Sequence, residues 1–464
     1  MSEGDGAPKA GNPAPKASQF TEGSVVRSVL RMGLPSMIGF AASNIYDIVD
    51  MFWVAKLGAS SVAAVTLFFS FYWIITSANQ IAGTGSVAVI SRRFGEDDIP
   101  GTEAAIKESI LLKLGLALIV GLVGYKFLWP VLRLLGAEGE ILRLAASYGS
   151  VQLLGLGVSF SSFTIYTALR GVGEPRKAMV LMIAGVVINL ILDPFLIFGW
   201  GPFPRLEVAG AAYASIISYG FTFLVGLGMF YGGFSGVRLH LRGVDRVRFS
   251  RMMKILRIGF PSGINSLSFT IGRAMIMPMV AAFGANVVAV YGMSMRVTAL
   301  GIMIIVGMGL GLSALIGQNL GAGKPERAWE TSIASIKFLV GVTSVFGLLL
   351  VIFARPITSA FFSDPSIIAM GVPTMRIFAL GLPLAALGIT FDMSCSGAGE
   401  NRAPMLFSML HTWGLQIPFV LIATKLLGLG YQSVWWAMML SGLLGPAFFW
   451  FTYFRRKTWL QRTV

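Results

Sequence analysis

LRMGLPS at residues 30–36 returns as LRIGFPS at 256–262, and GVGEP at 171–175 returns as GAGEN at 397–401, both displaced by the same interval. That interval also carries Gly58 onto Gly284, Gly83 onto Gly309, Gly85 onto Gly311 and Gly95 onto Gly321, with no gap over most of a half. The chain therefore reads as an internal duplication, and its fold must be one that two similar units build together.

What the units are made of follows from the residues between the repeated motifs. Apolar runs of about 20 residues, the length that crosses the hydrocarbon of a bilayer, fall near 28–53, 61–91, 107–130, 143–169, 178–200, 208–234, 253–282, 287–316, 331–354, 370–395, 403–427 and 432–454. The composition agrees: of 464 residues, 55% are hydrophobic and 12% charged, against roughly a quarter charged in soluble domains. The 56 glycines and 20 prolines are compatible with membrane helices, because neighbouring helices re-satisfy the freed backbone groups. The predicted fold is an all-α polytopic membrane protein, twelve transmembrane helices in two pseudo-symmetric six-helix bundles related by an axis along the membrane normal.

The expected organisation is a disordered tail over 1–23, a first lobe over 24–235, a linker over 236–252, a second lobe over 253–455 and a short tail over 456–464. The net charge of +15 is not a nucleic-acid signature, since the basic residues lie between apolar spans. One side collects Lys9, Lys16, Arg27, Arg31, Arg92, Arg93, Lys107, Arg170, Arg176, Lys177, the segment from Arg238 to Arg257, Lys324, Arg327, Arg402, Arg455, Arg456, Lys457 and Arg462. The other side is much poorer in Lys and Arg, which predicts both termini in the cytoplasm. A single cysteine, Cys395, and two distant histidines, His240 and His411, argue against a disulfide framework or a zinc site.

Chemistry is sought where charge stands at membrane depth, because each such residue costs about 2.5–3.5 kcal/mol on insertion and normally faces a cavity or a partner. The first lobe holds Asp47, Asp50 and Asp193, and the second holds Arg273, Arg296 and Asp392; Lys113, Lys337 and Arg376 are close enough to helix ends to snorkel. Asp47 and Asp50 are three residues apart in IYDIVD, and Asn189 and Asp193 four apart in NLILDP, so each pair shares a helix face. Pro194 removes a backbone donor beside them and frees the Leu190 carbonyl. Oxygen ligands of this kind suit a proton or a hard monovalent cation. The second lobe lacks the acidic pair: Arg273 falls at the repeat position of Asp47 and Ile276 at that of Asp50. Arg296 and Asp392 are expected to neutralise each other or Arg273, or else to contact a substrate or gate. Gln80 and His411 are expected to satisfy hydrogen bonds within the bundle.

Residues 24–455 resemble the multidrug and toxic compound extrusion (MATE) antiporters, in their DinF-like branch. The resemblance rests on GLPSMIG followed by IYDIVDMFWVAKLG, on ALRGVGEPRKAM, NLILDPFLIFG and GAAYAS, and on the six-plus-six repeat. It implies two lobes around a central cavity, alternating access, and export of organic cations or amphipathic drug-like compounds driven by inward Na⁺ or H⁺, with no other cofactor. It also implies a multi-pass monomer in the plasma membrane among lipids, and no enzyme activity. By motif, Asp50, Asn189, Asp193 and Ser215 are the implied cation-coupling residues, and Na⁺ ligands if Na⁺ is the ion. Tyr46 stands near them, and Pro35 is the implied bending point of the first helix. Asp47 stands where relatives carry asparagine, and Ser215 where they often carry threonine. A flippase for lipid-linked saccharides is the nearest alternative; the acidic character of the first lobe weighs against an anionic head group. No GxGD motif accompanies Tyr46-Asp47, which argues against an intramembrane aspartyl protease.

Overall fold

The computed structural model describes residues 18–240 and 247–461. Ten of its helices are each long and apolar enough to cross a membrane, and Gly139–Leu154 with Leu156–Gly171, bent by 53° at Gly155, supplies an eleventh span. The twelfth is Phe249–Ala281, which carries Arg251, Lys254, Arg257 and Arg273 and is correspondingly less apolar. The spans are thus Val25–Ala55, Ala59–Gly95, Ile99–Leu134, the bent pair, Pro175–Phe198 and Val208–Tyr231 in the first lobe. Phe249–Ala281, Ala285–Gly321, Pro325–Ile352, Pro365–Gly397, Arg402–Leu426 and Gln432–Thr452 form the second. The duplication reappears in the helix ends: Ala59–Gly95 repeats as Ala285–Gly321, and the stretch from Gly139 to Gly171 as Pro365–Gly397, at the interval read from the motifs. The paired turns use the same device, Gly173 and Gly399 at φ of 77° and 78°, a conformation that glycine adopts at no steric cost.

The lobes meet along a seam where the first helix packs on the eighth and the second packs on the seventh and eighth. Glycines make the contact. Gly85 lies on the Ile255 carbonyl, Gly259 on the Ile81 carbonyl and Gly321 on the Arg92 carbonyl, so close that a side chain at any of them would have to displace backbone. Gln318 donates across the seam to the Gly171 carbonyl at 2.8 Å. All these contacts lie in the halves of the helices nearest the two chain termini. The bundle is therefore closed on the side of the termini.

Four sequence expectations change. The tail is not unstructured up to residue 23: Ser18–Thr21 is a helical turn, and Phe20 is buried beside Gly173. Arg327 holds this segment by donating to the Glu22 and Gly23 carbonyls, each at 2.9 Å. The seventh helix begins at Phe249 instead of 253. The linker is anchored on the third helix, where Glu103 accepts from the His240 amide at 2.6 Å and Glu108 from the Arg251 guanidinium at 2.8 Å. The C-terminal segment folds back, with Trp459 fully buried and stacked on Phe454 at 4.9 Å. Lys9, Lys16, Arg462 and linker residues 241–246 lie outside the described residues.

Candidate cation site in the first lobe

The site is assembled from three helices whose approach is set by small residues. Gly39 of the first helix faces the fifth, where a side-chain carbon would stand 2.9 Å from the Met182 sulfur and 3.3 Å from the Met179 Cα. The fifth and sixth helices are clamped at their far ends, the Leu206 and Glu207 amides donating to the Leu196 and Ile197 carbonyls at 3.0 and 3.1 Å. This brings Asp50 of the first helix, Asn189 and Asp193 of the fifth and Ser215 of the sixth into one sealed region, none of them more than 3% exposed.

Within it, the Asn189 amide donates to Asp193 Oδ1 at 3.2 Å. The Tyr46 hydroxyl donates to Ser215 Oγ, which itself donates to the Ala211 carbonyl at 3.0 Å. Three buried oxygens are left without a partner: Asp50 Oδ1, Asn189 Oδ1 and Asp193 Oδ2. The two carboxylates are near enough for their charges to interact. Buried, unpartnered oxygens of two like-charged acids cost free energy, and a cation among them relieves both the repulsion and the lost hydrogen bonds. With carboxylate, amide and hydroxyl oxygens all hard donors, a proton or Na⁺ fits the chemistry of the set. An ion held there in transport would be cargo, not a resident cofactor.

Asp47 stands at the edge of this set, near enough to Asp50 for their charges to interact. It shares a helix face with Asp50 but is exposed, opening onto a space in which Tyr72, Tyr148 and Tyr219 feel its charge. Tyr46 and Phe163 flank Tyr219 at ring distances of 6.3 and 6.0 Å, so aromatic rings from the first, fourth and sixth spans gather near the acid. Pro35 is buried at the seam, in a helix that runs unbroken from Val25 to Ala55, roughly 20 Å along the helix from Asp50 at 1.5 Å per residue. Arg273 and Arg296 are exposed, with Tyr291 beside Arg273. Among the described residues no ion pair joins Arg273, Arg296 or Asp392, which corrects the expected neutralisation. His411 Nε2 is likewise buried without a partner.

Sequence reasoning missed two features. An aromatic cluster closes the far end of the site, where Trp53, one turn beyond Asp50, contacts Phe198 at 6.0 Å and Trp200 at 6.3 Å; the WxxK and FGW stretches carried no signal of their meeting. Lys113 does not snorkel, and Arg170 is not a loop cation: they are 1% and 6% exposed inside the first lobe.

Fold and site together define a multi-pass membrane transporter of two duplicated lobes with one charged interior. The MatE family model matches residues 35–195 and again 261–422, once in each lobe, and the chain belongs to that family of transporters; it is not an enzyme and needs no cofactor. A curated relative, the FAD transporter of Shewanella oneidensis, is 30% identical over 415 residues, covering 87% of this chain and 89% of that protein. The multidrug export protein MepA of Staphylococcus aureus is 27% identical over 428 residues, covering 91% and 92%. A crystal structure of MATE in the bent conformation superposes with a TM-score of 0.89 at 26% identity, covering 97% of this chain and 99% of that one.

Proposed function

We propose that this chain is a cation-coupled multidrug exporter of the plasma membrane, acting as a monomer of the DinF-like branch with both termini cytoplasmic. The observation that carries the coupling is the sealed set of Asp50, Asn189 and Asp193 with three oxygens unpartnered. A cation entering from outside, past the ends of the helices remote from the seam, neutralises Asp50 and Asp193. The ion drives transport only through its different affinity for the two access states, so the acids must bind it better in one of them. The seam, closed on the termini side, is the outward-open member of that pair, and Pro35 sits where the first helix would adjust when the seam parts. The organic substrate binds beside exposed Asp47 and half-buried Tyr72 and Tyr219, groups that suit amphipathic cations. The name of the Staphylococcus relative supports drug export, and that of the Shewanella relative extends the range to a dinucleotide.

Efflux of an organic cation from proteoliposomes, under Na⁺ and proton gradients imposed separately, tests this reading. At least one gradient is expected to drive efflux against concentration. Efflux that ignores both would refute the coupling.

A further inference from the structure

Lys113 lies in the middle of the third helix, 1% exposed, and no described residue hydrogen-bonds its ammonium. The nitrogen faces Gly83 of the second helix. A side chain begun at Gly83 would place its first carbon 3.8 Å from Lys113 Nζ and 3.8 Å from Gln80 Oε1, with nothing else within 4 Å. The missing side chain thus leaves room for one carbon in ordinary contact with the cation, and exposed Gln80 marks the approach to it. Arg170, from the last turn of the bent fourth span, is 6% exposed; its Nε has no partner, and its Nη2 reaches only Thr167 Oγ1 at 3.5 Å. The two cations are near enough for their charges to interact. Neither forms an ion pair among the described residues. Ser109, one turn before Lys113 on the same helix face, adds a fully buried hydroxyl with no partner.

Buried charges are ordinarily paired. The C-terminal dipole of its helix accounts for part of Arg170, but Lys113 stands mid-helix where no such term acts. The fold does not require either residue. By the repeat interval their counterparts in the second lobe are Leu339 and Ser396, on helices that form just as well. Two unpaired cations, a spare hydroxyl and a vacant side-chain position are what a multiply charged oxyanion needs, with lysine acting as a point charge and arginine as a directional donor.

We propose that Lys113 and Arg170 form a binding site for the phosphate group of an amphipathic anion, within the first lobe and separate from the acidic cation site. The proposal rests on the transporter reading for its role in substrate handling, but binding itself requires no ion coupling. It reverses the expectation that an acidic first lobe disfavours anionic groups, because the lobe holds both signs in different places.

The test uses the full chain in nanodiscs of phosphatidylcholine, with 4-methylumbelliferyl phosphate as fluorescent probe and 4-methylumbelliferone as its uncharged partner. Wild type is expected to bind the phosphate and to prefer it to the neutral compound. Lys113→Met and Arg170→Met are each expected to weaken phosphate binding by about ten- to a hundredfold, the range for losing a hydrogen bond to a charged group. Lys113→Arg, which keeps the charge and so controls for misfolding, should retain most of the binding, and Lys126→Met, on the exposed far part of the same helix, should retain all of it. Discs containing phosphatidylglycerol identify the natural source: competition with the probe assigns the site to a lipid phosphate, and its absence to a soluble one. Equal binding by wild type and both Met variants, or no preference for the phosphate, would overturn the proposal. Ion-independent efflux with intact phosphate binding would instead refute the coupling and leave this site standing.

Discussion

The two lobes repeat the ends of their second and fourth spans residue for residue, yet the positions of the first lobe's acids have opposite chemistry in the second. At the positions of Asp50, Asn189 and Asp193 the second lobe carries Ile276, Leu415 and Phe419. Ile276 packs with Val280, Tyr291 and Trp435, where the stacked rings of Tyr291 and Trp435 stand 5.2 Å apart. The eleventh span even abandons regular α-helix for π turns at Leu410–Gln416 and Ile422–Leu426, while its counterpart, the fifth, stays α-helical through Pro194. Duplication thus fixes a shared backbone on either side of a seam, and on the proposed reading divergence places the ion in one half. On that reading one lobe responds to the cation and the other gives it something to move against.

Substitutions that act on one lobe and have a counterpart in the other can break this comparison. The largest effect is expected at the acids: Asp193→Asn or Asp50→Asn should reduce gradient-driven efflux to background, whereas Phe419→Leu in the second lobe should leave it within about twofold, as expected for a volume-conserving apolar exchange. Next is the seam. Gly259→Leu would push the Ile81 carbonyl away and open the termini side, so a cysteine placed at buried Ser91 should change from unreactive to reactive toward a membrane-impermeant thiol reagent applied from that side. A smaller change is predicted for Ser215→Ala, which leaves the buried Tyr46 hydroxyl without its acceptor. The half-saturating ion concentration should rise by roughly five- to tenfold, from the loss of about 1 kcal/mol or somewhat more, while Ser441→Ala at the repeat position should change it little. Least affected should be Asp47→Asn, which leaves ion dependence intact and alters the apparent affinity for a cationic substrate.

The duplication, the twelve spans and the acids within them were legible in the sequence because each has a local signature: a repeated motif, an apolar run, an acid inside such a run. That Asp50 is buried while Asp47 is exposed was not legible, since spacing shows a shared helix face but not which position on it the neighbouring helices cover. Lys113 was misread for a related reason. Its distance from a helix end matched a snorkelling lysine, and only the packing of the second, third and fourth spans shows that it points inward. The docking of Phe20 against Gly173 and of Trp459 against Phe454 joins segments whose composition alone reads as tail.

The central claim is that the coupling ion is bound in the first lobe by Asp50 and Asp193. Ion-driven efflux in proteoliposomes, comparing wild type with Asp50→Asn, Asp193→Asn and the second-lobe control Phe419→Leu at matched protein density, tests it most directly. Loss of the driven component in both Asn variants, with the control unaffected, is the predicted result. Retention of normal gradient-driven efflux by either Asn variant would contradict it.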